Sequence, residues 1–286
     1  MINMEDGLLY YPGCTLKTKA KDYEESAMAV MEALGKPLVE MDDWYCCGAV
    51  QSLTTDDIMH QIAPIRTMCC AQEQGETEVV TLCDMCYNVL KQANERMKEN
   101  EDDLETMNEF LDEDPDYEGN VEVRHLFEIL TDMLDDIEKA VKNPLDDLTI
   151  APYYGCMLLR PDIAAIDNTE DPQIMEGILE RLGAEVLHNP KRTECCGSYH
   201  TVNRGDIVEK RVREIVSWAA NKGADVIALS CPLCQFNLDY HQRNTEFEIP
   251  VLYVTELIAL ALGLEAGLNK HKIDPKSILK EKQILE

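Results

Sequence analysis

Ten of the twelve cysteines in this 286-residue chain fall into two copies of one pattern. The first copy is Cys14, then Cys46-Cys47-Gly48, then Cys83-Asp84-Met85-Cys86. The second is Cys156, then Cys195-Cys196-Gly197, then Cys231-Pro232-Leu233-Cys234. The intervening gaps are 31 and 35 residues in the first copy and 38 and 34 in the second. With so few cysteines in the chain, five-fold agreement at such spacing marks a repeat. A CxxC turn aims two sulfurs at one centre. Adjacent cysteines diverge, so a Cys-Cys pair bridges metals or serves two irons of a larger cluster. Five thiolates are one more than a tetrahedral zinc site uses, and one more than an ordinary four-iron cubane uses. Soft thiolates select zinc, copper(I) or iron–sulfur. Iron–sulfur is the favoured reading of each quintet, with structural zinc and redox thiols as alternatives. Gly48 and Gly197 fit a backbone that must come close to such a centre and donate an amide to it.

The elements that must carry these cysteines are also repeated. Tyr10-Tyr11-Pro12-Gly13-Cys14 answers Tyr153-Tyr154-Gly155-Cys156, and Val79-Val80-Thr81-Leu82-Cys83 answers the run ending Leu229-Ser230-Cys231. Residues 8–11 and 149–154 read as opening strands, 22–34 and 173–182 as helices stopped by Gly35 and Gly183. Residues 37–41 and 185–187 read as second strands, 58–74 and 207–222 as helices, and 78–82 and 225–230 as third strands. Strands separated by helices pair in parallel with right-handed crossovers. The fold class is therefore α/β: two homologous cysteine-rich domains, each a small parallel sheet flanked by helices, related by pseudo-twofold symmetry. The expected domains are 1–145, with an acidic segment at 95–118, and 146–286, with a polar tail at 269–286 that reads as a frayed terminus more than as a docking arm. The motif cysteines fall at strand ends, the edge where open α/β sheets bind ligands. Cys69 and Cys70 stand outside the repeat in a helical pattern, set against Val208 to Lys210, and read as packing cysteines.

Composition narrows the function classes. The formal net charge is −29, which argues against a nucleic-acid partner. Residues 95–118 hold twelve acidic side chains and two basic ones, read as a solvated face ahead of an electrostatic docking surface. No apolar run reaches the roughly 18 to 20 residues of a membrane span; the nearest, 251–264, contains Glu256. The N-terminus lacks a basic region followed by an apolar stretch, so the expected location is the cytoplasm. There thiols stay reduced, and a chain of this length needs no disulfide staples. No GxGxxG or P-loop fingerprint is present.

The arrangement Cys, Cys-Cys-Gly, CxxC resembles the cysteine-rich CCG domain family. Two such domains in one chain, over roughly residues 7 to 262, look like the B subunit of the heterodisulfide reductases of methanogenic archaea. Related two-domain chains serve lactate, glycolate and glycerol-phosphate oxidising systems. Several of those relatives carry a ferredoxin-like CxxCxxC run, and this chain has none. The resemblance implies two noncubane four-iron clusters, one held by Cys14, Cys46, Cys47, Cys83 and Cys86, the other by Cys156, Cys195, Cys196, Cys231 and Cys234. It implies a substrate pocket between the clusters for the mixed disulfide of coenzyme M and coenzyme B, reduced to two thiols. It also implies partners: a cubane-bearing subunit of C type, a flavin subunit of A type, and an upstream hydrogenase or formate dehydrogenase.

Such a substrate carries sulfonate, carboxylate and phosphate, so basic groups beside the clusters are candidates for binding it. These are Arg160, Arg204 and His200, then Lys17, with Lys19 and Lys21 beside it. His200 is also a candidate proton donor to a leaving thiolate. Two other functions stay open: an electron-transfer subunit of a flavin- or quinone-linked dehydrogenase, and a zinc-stabilised scaffold without redox activity.

Overall fold

The computed structural model describes residues 7–49, 57–111, 116–242 and 246–285. The first half opens with β1 (Leu8–Tyr11), the single turn α1 (Gly13–Leu16), α2 (Lys21–Ala33) and β2 (Leu38–Glu40). It continues through α3 (Ile62–Glu73), β3 (Glu78–Thr81), α4 (Asp84–Glu99), α5 (Glu101–Leu111), β4 (Glu122–His125), α6 (Leu126–Asp132) and α7 (Leu134–Ala140). The second half repeats the plan with β5 (Thr149–Pro152), α8 (Ile174–Arg181), β6 (Glu185–Val186), α9 (Gly205–Asn221) and β7 (Val226–Leu229). It ends with α10 (Pro232–Tyr240), β8 (Val251–Tyr253), α11 (Val254–Ala261) and α12 (Lys276–Glu281).

Two four-stranded parallel sheets result, in the orders β2-β1-β3-β4 and β6-β5-β7-β8. The central strands are buried on both faces, which is why β7 reads Val-Ile-Ala-Leu without a polar residue. Because all strands of a sheet run the same way, the ends of β1 and β3 lie side by side, as do those of β5 and β7. Cys14 and Cys83 follow the first pair and Cys156 and Cys231 the second.

The two domains join reciprocally. Helix α11 of the second packs on α2 of the first, and α6 of the first packs on α8 of the second. At this seam the Tyr23 and Tyr253 rings stack at 4.2 Å and 5°, and the hydroxyls of Ser26 and Thr255 lie 2.7 Å apart. Asn88 of α4 donates to the carbonyls of Met157 and Arg160 at 2.7 and 2.8 Å.

Several sequence expectations need correction. Each sheet has a fourth strand, β4 and β8, that the periodicity did not reveal. The helix expected over 58–74 starts as a 3-10 turn at Ile58–Gln61, with α3 following it. Helices α3 and α9 end at the same distance before their CxxC turns, so Cys69-Cys70 answers Ser217-Trp218 and not Val208 to Lys210. Cys69 is buried against the core, as expected, and Cys70 is half-buried. The tail is not frayed: Leu279 of α12 is fully buried, Lys282 pairs with Asp225 at 2.8 Å, and the amides of Lys272 and Ile273 donate to Asp239. In the acidic segment, residues 101–111 form α5 with a mostly exposed face, while 112–115 lie outside the described residues.

Candidate iron–sulfur sites

None of the twelve cysteines forms a disulfide, and the ten motif cysteines converge into two groups of five. In the first, the Cys14 and Cys46 sulfurs are 3.9 Å apart and those of Cys47 and Cys86 are 3.3 Å apart. Cys46 hydrogen-bonds Cys47, and Cys83 hydrogen-bonds Cys86, which links all five. In the second, the Cys196 and Cys234 sulfurs are 3.4 Å apart, and hydrogen bonds join Cys156 to Cys195, Cys195 to Cys196 and Cys231 to Cys234. These separations far exceed the ~2.05 Å of a disulfide bond.

Local chemistry builds the two sites alike. The opening strand delivers a buried tyrosine, Tyr11 or Tyr153, whose hydroxyl donates to the carbonyl just before Cys-Cys-Gly: Tyr45 O at 2.8 Å and Glu194 O at 2.5 Å. Each tyrosine therefore ties the first strand to the loop that carries two ligands. Two residues later comes a glycine, Gly13 or Gly155, with φ of +66° or +71°. A Cβ there would stand 3.0 Å from the Cys86 sulfur or 3.1 Å from the Cys234 sulfur. Glycine is required on both counts. Gly48 and Gly197 also have positive φ, and the Gly197 amide donates to the Cys195 sulfur at 3.3 Å, as expected of a glycine beside a thiolate. Cys83 and Cys231 cap α4 and α10, so their sulfurs stand at helix N-termini, where negative charge is favoured.

The ionisation of the thiols shows what such a site needs. In the second group a hydrogen bond from Cys156 holds the Cys195 thiol far below its usual range. Cys156 is pushed up by that same contact, and Cys234 by its hydrogen bonds to Cys196 and Cys231. In the first group Cys47 falls to about 7 through its hydrogen bond with Cys86, while Cys86 rises through the same contact. Five crowded thiols cannot all ionise beside one another. A multivalent cationic centre would replace the protons and make ligands of the crowded thiols. The donor set, the close glycines and the helix N-termini all fit an iron–sulfur centre. Exposure differs between the two: Cys14 and Cys46 are exposed, whereas Cys156 and Cys195 are partly covered.

Three of the predicted basic residues are paired with carboxylates. Lys17 is held by Glu24 at 2.8 Å and Glu40 at 2.5 Å. Arg160 binds Glu170 and the carbonyls of Thr169 and Thr193. Arg204 grips Asp206 at 2.8 and 2.9 Å. Lys19, Lys21 and His200 are exposed. Sequence reasoning missed the Tyr11 and Tyr153 struts, although the repeated Tyr-x-Gly-Cys was their signal. It also missed Asp84, Ser230 and His125, which meet between the two CxxC turns. Ser230 Oγ donates to Asp84 Oδ1 at 2.8 Å, and His125 Nε2 lies 3.3 Å from the same oxygen.

Two parallel-sheet domains, each gathering five thiols at one sheet edge, define a protein of the cysteine-rich CCG class. The chain belongs to that family: the model of its Cysteine-rich domain matches residues 8–91 and 150–239. Among curated relatives, the chain is 32% identical to the 8-methylmenaquinol:fumarate reductase membrane anchor subunit of Wolinella succinogenes, covering 95% of this chain and 98% of that one. It is 27% identical to the B subunit of the ferredoxin/F420H2-dependent CoB-CoM heterodisulfide reductase of Methanosarcina acetivorans, covering 93% of each. A protein of Archaeoglobus profundus described as like the heterodisulfide reductase B subunit is 29% identical over 88% of this chain and 89% of that one. Among solved structures, a hypothetical protein from Helicobacter pylori shares the fold with a TM-score of 0.75 at 14% identity; this chain matches over 95% of its own length and spans 53% of that one. Among the described residues, no helix is long and apolar enough to cross a membrane.

Proposed function

We propose that this chain is the cluster-bearing catalytic subunit of a heterodisulfide reductase-type complex, acting on a small-molecule disulfide in the cytoplasm. The single observation that carries the reading is the duplication: one chain holds two equivalent five-thiol sets, matching a substrate that is itself cut into two thiols. Cys14, Cys46, Cys47, Cys83 and Cys86 would hold one noncubane four-iron cluster, and Cys156, Cys195, Cys196, Cys231 and Cys234 the other. The clusters would supply the electrons and a soft metal for the departing sulfurs. One disulfide takes up two electrons and two protons and leaves as two thiols. Electrons would come from a cubane-bearing partner of C type, fed by a flavin subunit of A type. Similarity to the heterodisulfide reductase B subunits over nearly the whole chain supports the mixed disulfide of coenzymes M and B as substrate.

The test is chemical. Anaerobically purified protein should carry about eight irons per chain with matching acid-labile sulfide. Adding the mixed disulfide to oxidatively poised protein should raise a new EPR signal, and a chemical reductant should drive turnover. Zinc with little sulfide would end the cluster reading.

A second reading is favoured by two observations: an electron-transfer subunit of a quinone-linked reductase, touching no substrate. The Wolinella succinogenes relative belongs by description to a menaquinol:fumarate reductase. In addition, Lys17, Arg160 and Arg204 are already neutralised by carboxylates, which leaves them poorly disposed to a polyanionic substrate. Intact clusters with no spectral response to the disulfide and no turnover would select it.

A further inference from the structure

Asp84 links the two thiol sets through Ser230. It follows Cys83 in the chain, and its field reaches Cys231 of the other domain, as does that of Cys83. Its carboxylate is almost wholly buried. Ser230, the residue before Cys231, crosses the seam to donate to Oδ1. His125 reaches the same oxygen: its Nδ1 accepts the Phe127 amide at 3.2 Å, so the ring proton sits on Nε2, which faces Asp84 Oδ1 and the Leu82 carbonyl. Ser230 donates to this side chain, which opens α4, and His125 stands beside it. Oδ2, by contrast, is buried and takes no hydrogen bond among the described residues. One oxygen is thus held by a donor and the other faces a low-dielectric interior.

The repeat does not supply this group twice. The counterpart of Asp84 is Pro232, and the counterpart of Ser230 is Leu82. One anion therefore serves two sites that are otherwise built alike. The stacked Tyr23 and Tyr253 rings, which lie within reach of both Cys83 and Cys231, wall the spot off with apolar surface. Tyr23 also donates to the Leu82 carbonyl at 2.9 Å, which fixes the strand end that carries Cys83.

We infer that Asp84, held by Ser230, is a shared positioning and potential-setting residue: a single buried anion between the two thiolate sets that shifts the reduction potential of both centres together. The inference rests on the cluster reading above. A fixed negative charge disfavours addition of an electron to any centre nearby, so both centres titrate at more negative potential than they would without it. The Ser230 hydroxyl dipole moderates that charge, so removing it acts in the opposite sense to removing the charge.

The experiment is an EPR-monitored potentiometric titration of the anaerobic complex carrying Asp84→Asn, Asp84→Glu or Ser230→Ala, after iron and sulfide analysis of each preparation. Asp84→Asn should move both midpoints to more positive potential. Asp84→Glu, which keeps the charge, should restore them toward the native values, and Ser230→Ala should move both slightly negative. A shift confined to one centre, shifts of one sign in both Asp84→Asn and Ser230→Ala, or no shift with iron retained would overturn this role while leaving the cluster reading intact. Absence of iron and sulfide from the native protein would overturn both. Should Asp84→Asn lose a cluster, the sign of the Ser230→Ala shift decides.

Discussion

At the scale of single residues, each site depends on groups that never ligate. Gly13 is the sharpest case, since its backbone is left-handed and any Cβ would meet the Cys86 sulfur at 3.0 Å. In Gly13→Ala the backbone conformation alone costs about 1–2 kcal/mol, and the contact adds to it. The cluster of the first domain should be lost while that of the second stays, so iron should fall from about eight to about four per chain. Equal loss from both domains would contradict the independence of the two cradles. Tyr11→Phe and Tyr153→Phe should be milder. Each removes a buried hydrogen bond to the carbonyl before Cys-Cys-Gly, a loss of about 1 kcal/mol in thermal or denaturant unfolding. The ten motif cysteines were readable from the sequence because thiol chemistry and spacing are local. The tyrosine struts were visible only as repeated letters, since their hydroxyls act on carbonyls 34 and 41 residues away.

At the scale of elements, β1, β3, β5 and β7 announced themselves, because each apolar run stops shortly before a motif cysteine. Strands β4 and β8 did not, for a physical reason. Strand β4 is Glu-Val-Arg-His, with two of its polar side chains at least partly exposed on the sheet edge. Strand β8 runs straight into α11, and the continuous apolar stretch hides the change of period. Both junctions are fixed by a glutamate at the third helical position that accepts the amide of the last strand residue: Glu128 from His125 at 2.7 Å and Glu256 from Tyr253 at 2.8 Å. The reciprocal packing of α11 on α2 and α6 on α8 was equally hidden, because such contacts join residues far apart in the chain, as in Ser26 and Thr255. Tyr253→Ala tests the weight of this seam. It removes a fully stacked ring from the joint between domains and should cost about 3–5 kcal/mol. Urea unfolding should show a lower midpoint with an unchanged slope; a lower slope would mean that the domains had begun to unfold separately.

At the scale of the whole molecule, the C-terminal tail closes the seam between the domains and makes the closure sensitive to pH. Lys270 pairs with Asp22 of α2 at 2.5 Å, and His271 Nε2 lies 3.0 Å from Glu256 Oε1 of α11, so one short segment touches both domains. Burial opposes a charged ring at His271, but the hydrogen bond and charge of Glu256, with Asp239 of α10 and Asp22 beyond it, outweigh burial and raise its pKa above the ordinary 6.5. The Glu256 carboxyl is itself pushed up by burial, which its contact with His271 offsets only in part. Both shifts mean that the folded chain holds more protons than the unfolded one. The His271 contribution to stability is therefore complete below pH 6.5 and is lost as pH rises through the elevated folded value. Glu256 adds to the same trend, since its ionisation inside the protein costs more than in water. Hydrogen exchange at Leu279, which the tail carries into the core, should quicken relative to β7 as pH is raised above that range, after correction for intrinsic exchange. His271→Asn should flatten the dependence and leave the tail less protected at low pH. Protection that stays constant with pH in the native chain would show that burial of Leu279 alone, without the histidine–carboxylate pair, holds the two domains closed.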